Sequence, residues 1–144
     1  MPEDMATIFH WRNDPFIASR GSLKTTVSWE EHQQWFLKTL ASDDAAMFII
    51  EHDGNSIGQI RFMKTGEMDW TVSMYLLQPY TGKGFGVVAL TLGCREILDR
   101  WPGAAITAYI LRDNRPSQSA FLKAGFQEAP ESVQDHLILV YRAP

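Results

Sequence analysis

The sequence predicts a mixed α/β fold: a mostly antiparallel sheet of about six strands with helices on both faces. Three observations carry this. Apolar runs joined by tight-turn signals at Asp53-Gly54 and Thr65-Gly66 describe an antiparallel meander. A strand at Asp69–Leu77 leads through a glycine loop into an unbroken apolar-periodic segment, Val87–Leu98. A further apolar run, Ala104–Ile110, follows that helix, and a strand–helix–strand crossover makes the two strands parallel.

Each element has a local reason. Pro2–Arg12 reads as a helix, with Met5, Ile8, Phe9 and Arg12 at helical spacing, and Asn13-Asp14-Pro15 stops it. Ser28-Trp29-Glu30-Glu31 is a capping box that opens a helix running to about Leu40. Ala46–Glu51 and Ser56–Met63 flank the Asp53-Gly54 turn. On the Asp69–Leu77 strand, Trp70, Val72 and Met74 share one face, and Thr71, Ser73 and Tyr75 the other. The long helix ends before Pro102-Gly103. Ser117–Ala124 is a short helix stopped by Gly125, and Phe126–Glu128 pairs with His136–Arg142 as the last two strands.

A chain of 144 residues without repeats or linkers fits one domain, 1–144. A net charge of −4 argues against general nucleic-acid binding, which needs phosphate neutralisation. The one cysteine, Cys94, cannot form an internal disulfide, and the four histidines lack paired metal-ligand spacing. No apolar run reaches membrane-span length and no signal peptide opens the chain, so the expectation is a cytoplasmic protein with no membrane partner.

The chemistry concentrates in Gln78-Pro79-Tyr80-Thr81-Gly82-Lys83-Gly84-Phe85-Gly86. A strand, a loop with three alternate glycines and a helix let backbone N–H groups converge at the positive end of a helix dipole. The occupant this suits is a phosphate or pyrophosphate. A P-loop would carry Lys-Ser or Lys-Thr after its last glycine, but Val87 follows Gly86. A dinucleotide fold would begin with parallel strands, whereas antiparallel hairpins precede this loop.

A second segment, Asn114-Arg115-Pro116-Ser117-Gln118-Ser119-Ala120-Phe121-Leu122-Lys123-Ala124-Gly125-Phe126, starts a short helix with asparagine and closes it with Gly-Phe. Together the two segments resemble the GNAT superfamily of acetyl-CoA-dependent N-acetyltransferases, over nearly the whole chain from Pro2 onward. The resemblance implies an acyltransferase with acetyl-CoA as cofactor. It implies that the backbone of Gly82, Lys83, Gly84, Phe85 and Gly86, with Thr81, holds the pyrophosphate. Met74, Tyr75, Leu76 and Leu77 offer backbone groups to the pantetheine where two parallel strands splay. Asn114 and Ser117 sit at the pantetheine arm, Asn114 as ligand or as plain helix cap, and Phe121 lies near the thioester sulfur. Three features depart from the family pattern. Thr81 replaces arginine or glutamine. Phe121 replaces a proton-donating tyrosine, leaving Tyr75 or Tyr109 as substitutes. The strand that usually precedes the first helix is absent or truncated, which leaves a sheet edge exposed.

For the acceptor, Phe9–Pro15, Ser28–Phe36 and Ile57–Phe62 resemble acetyltransferases of nucleotide-linked amino sugars, as in pseudaminic acid synthesis, and share part of the pattern of ribosomal-protein N-terminal acetyltransferases. The implied partner is a small-molecule amine, a nucleotide sugar, taken by a monomer or homodimer. The substrate-binding set is Trp11, Arg12, Asn13, His32, Gln59 and Arg61. Arginine suits a diphosphate and tryptophan suits stacking. Alternatives stand beside each: Trp11 and Trp35 as core, Arg12 paired with Asp14, His32 as a packed residue, Arg61 as a solvated edge charge. The expected reaction is direct attack of a neutral amine on the thioester. A backbone N–H near Met74–Tyr75 holds the oxyanion, and Glu67, Asp69 or His32 takes the proton through water. Tyr75 completes the catalytic set. The rival readings are acetylation of a protein N-terminus and a non-catalytic acetyl-CoA-binding module.

Overall fold

A computed structural model describes residues 4–14, 28–133 and 136–142; the side chains of Arg12, Leu40 and residues 131–133 also lie outside that description. The order is α1 (Met5–Arg12), α2 (Trp29–Ala41), β1 (Ala45–His52), β2 (Asn55–Gly66), β3 (Asp69–Leu76), a 3₁₀ turn (Gln78–Tyr80), α3 (Phe85–Arg100), β4 (Ala105–Leu111), α4 (Arg115–Lys123), β5 (Gln127–Val133) and β6 (His136–Arg142). The six strands form one sheet in the order β1-β2-β3-β4-β6-β5. Only the β3–β4 pair is parallel; the other four pairings are antiparallel.

Local chemistry explains most boundaries. Ser28 Oγ accepts the Glu31 N–H at 3.2 Å and caps α2. Asp53 and Gly54 both have positive φ, 51° and 80°, the pairing that a two-residue hairpin turn requires. The structure departs from expectation at two strands. β2 continues through Thr65-Gly66, because a register shift between Lys64 and Gly66 passes over Thr65, pairs Gly66 with Asp69 and moves the turn to Glu67-Met68. β5 begins at Gln127 rather than Phe126 and extends to Val133, because a second shift between Glu128 and Ser132 absorbs Pro130. Proline had masked that strand in the sequence.

Side-chain alternation gives the sheet two buried faces. Ile60, Phe62, Trp70, Val72, Ile106, Ala108 and Ile110 meet Leu90, Cys94 and Ile97 of α3 and Phe121 of α4 in the larger core. Burial there pushes the Cys94 thiol up to about 12, as an inert core residue requires. On the other face Ile8, Trp11 and Phe36 of α1 and α2 form a smaller core over Met47, Ile49, Tyr75 and Leu77. The two helix pairs therefore cover opposite faces, as expected. Among the described residues, no helix is long and apolar enough to cross a membrane.

Candidate active site

The parallel pair opens partway along its length. β3 and β4 are in register at Asp69↔Ala105, Trp70↔Ile106 and Thr71↔Thr107, and no further. β3 continues to Leu76 held only by β2, and β4 continues to Leu111 held only by β6. Backbone groups alternate along a strand. The Leu77 N–H bonds the Ile57 carbonyl at 2.8 Å on the β2 side, while Met68 O accepts the Ala105 N–H at 2.8 Å on the β4 side. By that alternation Met74 and Leu76 aim their N–H and C=O groups into the opening.

The opening ends at the glycine loop. Gly82 and Gly84 take φ of 73° and 86°, a region that glycine enters without strain, and nothing lies within 4 Å of a Cβ built at either. Gly84 is the N-cap of α3 and offers no side chain to cap it, and no acidic residue stands in the first turn. The first turn of this 16-residue helix thus receives no side-chain cap from Gly84. Gly86 brings α3 close to β3: a Cβ there would lie 3.2 Å from Met74 Cε. On the opposite bank, Asn114 Oδ1 accepts the Ser117 N–H at 3.4 Å and caps α4. Gln118 Nε2 donates to the carbonyls of Leu111, at 3.1 Å, and Arg112, at 2.8 Å, fixing the loop that edges the opening. The sequence reading missed Gln118; its signal was a carboxamide one turn into a helix whose cap was already assigned.

Several expected roles change. Leu77 has no free backbone group, since its N–H bonds Ile57 and its carbonyl accepts the Tyr80 N–H at 2.9 Å. Tyr75 shares the Leu77 alternation, so its backbone faces β2. The Thr81 hydroxyl donates to the Gln78 carbonyl at 2.8 Å, within its own turn. Phe121 is 3% exposed and packs edge-on against Phe126 at 4.9 Å, as part of the core. His32 is fully buried; its Nε2 lies 2.7 Å from the Met5 carbonyl, so that nitrogen must carry the proton and cannot act as a base. Its ring sits among Phe9, Trp29, Trp35 and Phe36 and ties α1 to α2.

Glu67 and Asp69 lie in the turn before β3 and at its first residue, at the closed end of the β3–β4 pair. Five residues of strand put Asp69 about 16 Å from Met74. Neither carboxylate is brought to the opening.

The residues expected to bind the acceptor lie on the α1–α2 face or on the strands beneath it. Trp11 is core, 9% exposed, and meets the Tyr75 ring edge-on at 6.0 Å. Asn13 closes α1 through its N–H on the Phe9 carbonyl. The Arg12 side chain lies outside the described residues. Arg61 is half-buried with its guanidinium 5.0 Å from the Trp35 ring centroid. Gln59 and Arg61 stand directly across from Tyr75 and Ser73 on β3. Tyr109, 48% exposed on β4, faces the same side.

Comparison with known proteins agrees with this geometry. The acetyltransferase (GNAT) domain family matches residues 1–127. The uncharacterized N-acetyltransferase YokL, derived from the SPbeta prophage of Bacillus subtilis (strain 168), is 26% identical over 129 residues, covering 88% of this chain and 72% of YokL. Among solved structures, AAC(6')-Ib in complex with ribostamycin and coenzyme A superposes with a TM-score of 0.84 at 18% identity, covering 99% of this chain and 89% of its own. The Campylobacter jejuni N-acetyltransferase PseH in complex with acetyl coenzyme A does so with a TM-score of 0.75 at 17% identity, covering 99% and 92%. Those likenesses are of fold; the family match extends over most of the chain and includes both the glycine loop and α4. The chain belongs to the GNAT acetyltransferase family, and it is an acyltransferase.

Proposed function

We propose that this protein transfers the acetyl group of acetyl-CoA to a primary amine of a nucleotide-linked amino sugar. The observation that carries the reading is the continuity of the β3–β4 opening with the uncapped pole of α3. The backbone of Gly82–Gly86 takes the pyrophosphate, and the amides of Met74 and Leu76 take the pantetheine. The amine nitrogen attacks the thioester carbon, whose oxygen gathers negative charge, and the Met74 N–H is the donor aimed at it. Collapse breaks the carbon–sulfur bond and releases CoA as thiolate, while the ammonium proton of the new amide leaves to water. With His32 locked by Met5 and the carboxylates remote, the amine arrives as its free base. Arg61 supports a nucleotide diphosphate on the acceptor, since a guanidinium bonds phosphate bidentately and Trp35 holds this one in place from below.

A thiol-release assay tests the acceptor. Acetyl-CoA is offered with UDP-linked amino sugars, aminoglycosides, polyamines and short peptides, and the UDP-linked amine is expected to give the highest kcat/KM. A preference for peptides would favour N-terminal acetylation, a reading to which the exposed Ser73 and Tyr109 also lend themselves. The cofactor site is tested by Gly84→Trp. A Cβ has space there, the left-handed φ of 86° costs a side chain only local strain at the helix start, and the ring sits where the pyrophosphate would approach, so acetyl-CoA binding is lost in calorimetry while the circular dichroism spectrum is kept. Unchanged affinity would remove the glycine loop from the site.

A further inference from the structure

Gln59 stands in the middle of β2, 3% exposed, between Ile49 on β1 and Tyr75 on β3. It shares the face covered by α1 and α2, with Ile49 and Tyr75 across the ladder on either side and Arg61 two residues along its own strand. Its carboxamide Nε2 is enclosed and has no hydrogen-bond partner among the described residues. A buried amide nitrogen without an acceptor destabilises the fold, and an apolar side chain of similar size would not. The buried Trp70 indole nitrogen is in the same state, but that ring is retained for packing, 4.6 Å from Trp101. No such packing reason distinguishes the Gln59 carboxamide from a leucine.

We infer that Gln59 Nε2 donates a hydrogen bond to an oxygen of the acceptor, a hydroxyl or carbonyl close to the amine, and so selects oxygen-bearing amines over simple alkyl amines. This rests on the reading of the α1–α2 face as the acceptor side. The placement suits the role. Gln59 faces Tyr75 across the ladder, and cross-strand neighbours lie about 5 Å apart at Cβ. The donor is therefore one strand from the Met74 N–H that receives the oxyanion. To reach it, the acceptor must part the α1–α2 layer. Among the described residues the apolar cluster of that layer has three buried side chains, Ile8, Trp11 and Phe36, with His32 and Thr39 of α2 also buried, against fourteen in the opposite core, so it is the layer able to open.

The test is Gln59→Leu, read by thermal unfolding, by calorimetry with acetyl-CoA, and by KM for two acceptors: a UDP-linked amino sugar and spermine, which has no oxygen. The expected result is a higher Tm and an unchanged acetyl-CoA affinity. The amino-sugar KM rises about tenfold, and the preference for it over spermine falls by the same factor. Gln59→Met, which keeps the length of the side chain and has no donor, loses the preference as well. A lower Tm for Gln59→Leu would mean that the carboxamide is already satisfied in the free protein and would overturn the inference. So would a higher Tm with the preference intact. A wild-type enzyme that acetylates spermine as readily as the amino sugar would overturn it too, yet leave acetyl transfer standing. Loss of acetyl-CoA binding in the wild type would instead strike the functional reading beneath it.

Discussion

At the scale of single residues, Gly58 sets the shape of the opening more directly than the loop glycines do. It lies inside β2 opposite Leu76, with no unusual backbone angle to explain it. The reason is proximity. A Cβ at this position would run into the Tyr75 carbonyl oxygen and would sit 2.9 Å from Leu76 Cδ2 and 3.1 Å from Leu76 Cα. Two of these atoms are backbone and cannot swing aside, so β3 itself must move. Gly58→Ala is therefore expected to cost about 1–3 kcal/mol, the usual range for overpacking, read as a lower midpoint in urea unfolding. It should also weaken acetyl-CoA binding, because the displaced strand carries the Met74 and Leu76 amides. A variant as stable as the parent, with unchanged affinity, would mean that β2 and β3 have slack here which the close contact denies.

At the scale of elements, the divergence of β3 from β4 leaves polar backbone groups where a sheet would normally pair them. Amide hydrogen exchange reads this directly. In the free protein the Met74 and Leu76 amides should exchange much faster than Trp70, which lies in the paired part of β3. Acetyl-CoA should slow Met74 and Leu76 and leave Trp70 as it was. Strong protection of both amides without cofactor would show that the strands close over this stretch. The same elements show what a sequence can and cannot disclose. The Ser28 cap, the Asp53-Gly54 turn, the glycine loop and the Asn114 helix start are made by residues within a few positions of one another, and each was legible. The opening depends on which strand stops pairing and where. His32 depends on a carbonyl 27 residues away, and that separation turned an expected proton relay into a helix tie. Phe121 matched its motif position, but its burial against Phe126 is a tertiary fact. The proposed phosphate end rests on local backbone, whose loop and helix start are visible in the sequence; the proposed acceptor end rests on side chains of distant elements, whose meeting is not.

At the scale of the whole molecule, the sheet separates two layers of unequal strength, and the proposed division of labour follows that inequality. The α3–α4 layer holds Trp70, Phe62, Leu90, Ile97 and Ile106 with almost no exposed surface; it fixes the helix pole and the banks of the opening, which must not move if amides are to meet a pyrophosphate and a thioester together. The α1–α2 layer is held by Ile8, Trp11 and Phe36, the His32–Met5 hydrogen bond and ring contacts. A protein opens first where the fewest apolar contacts must be broken. Native-state exchange in low urea should accordingly place the amides of α2, with Phe36 as reporter, at a smaller opening free energy than those of α3, with Leu90 as reporter. His32→Leu, which deletes the tie to Met5, should lower the α2 value and leave the α3 value nearly unchanged. Acetyl-CoA should raise the α3 value more than the α2 value, because its proposed contacts lie at the α3 pole. If α2 and α3 opened only together, with one free energy for both, the acceptor could not enter by parting the smaller layer, and the amine would have to approach along the exposed face of β3 and β4, past Ser73 and Tyr109.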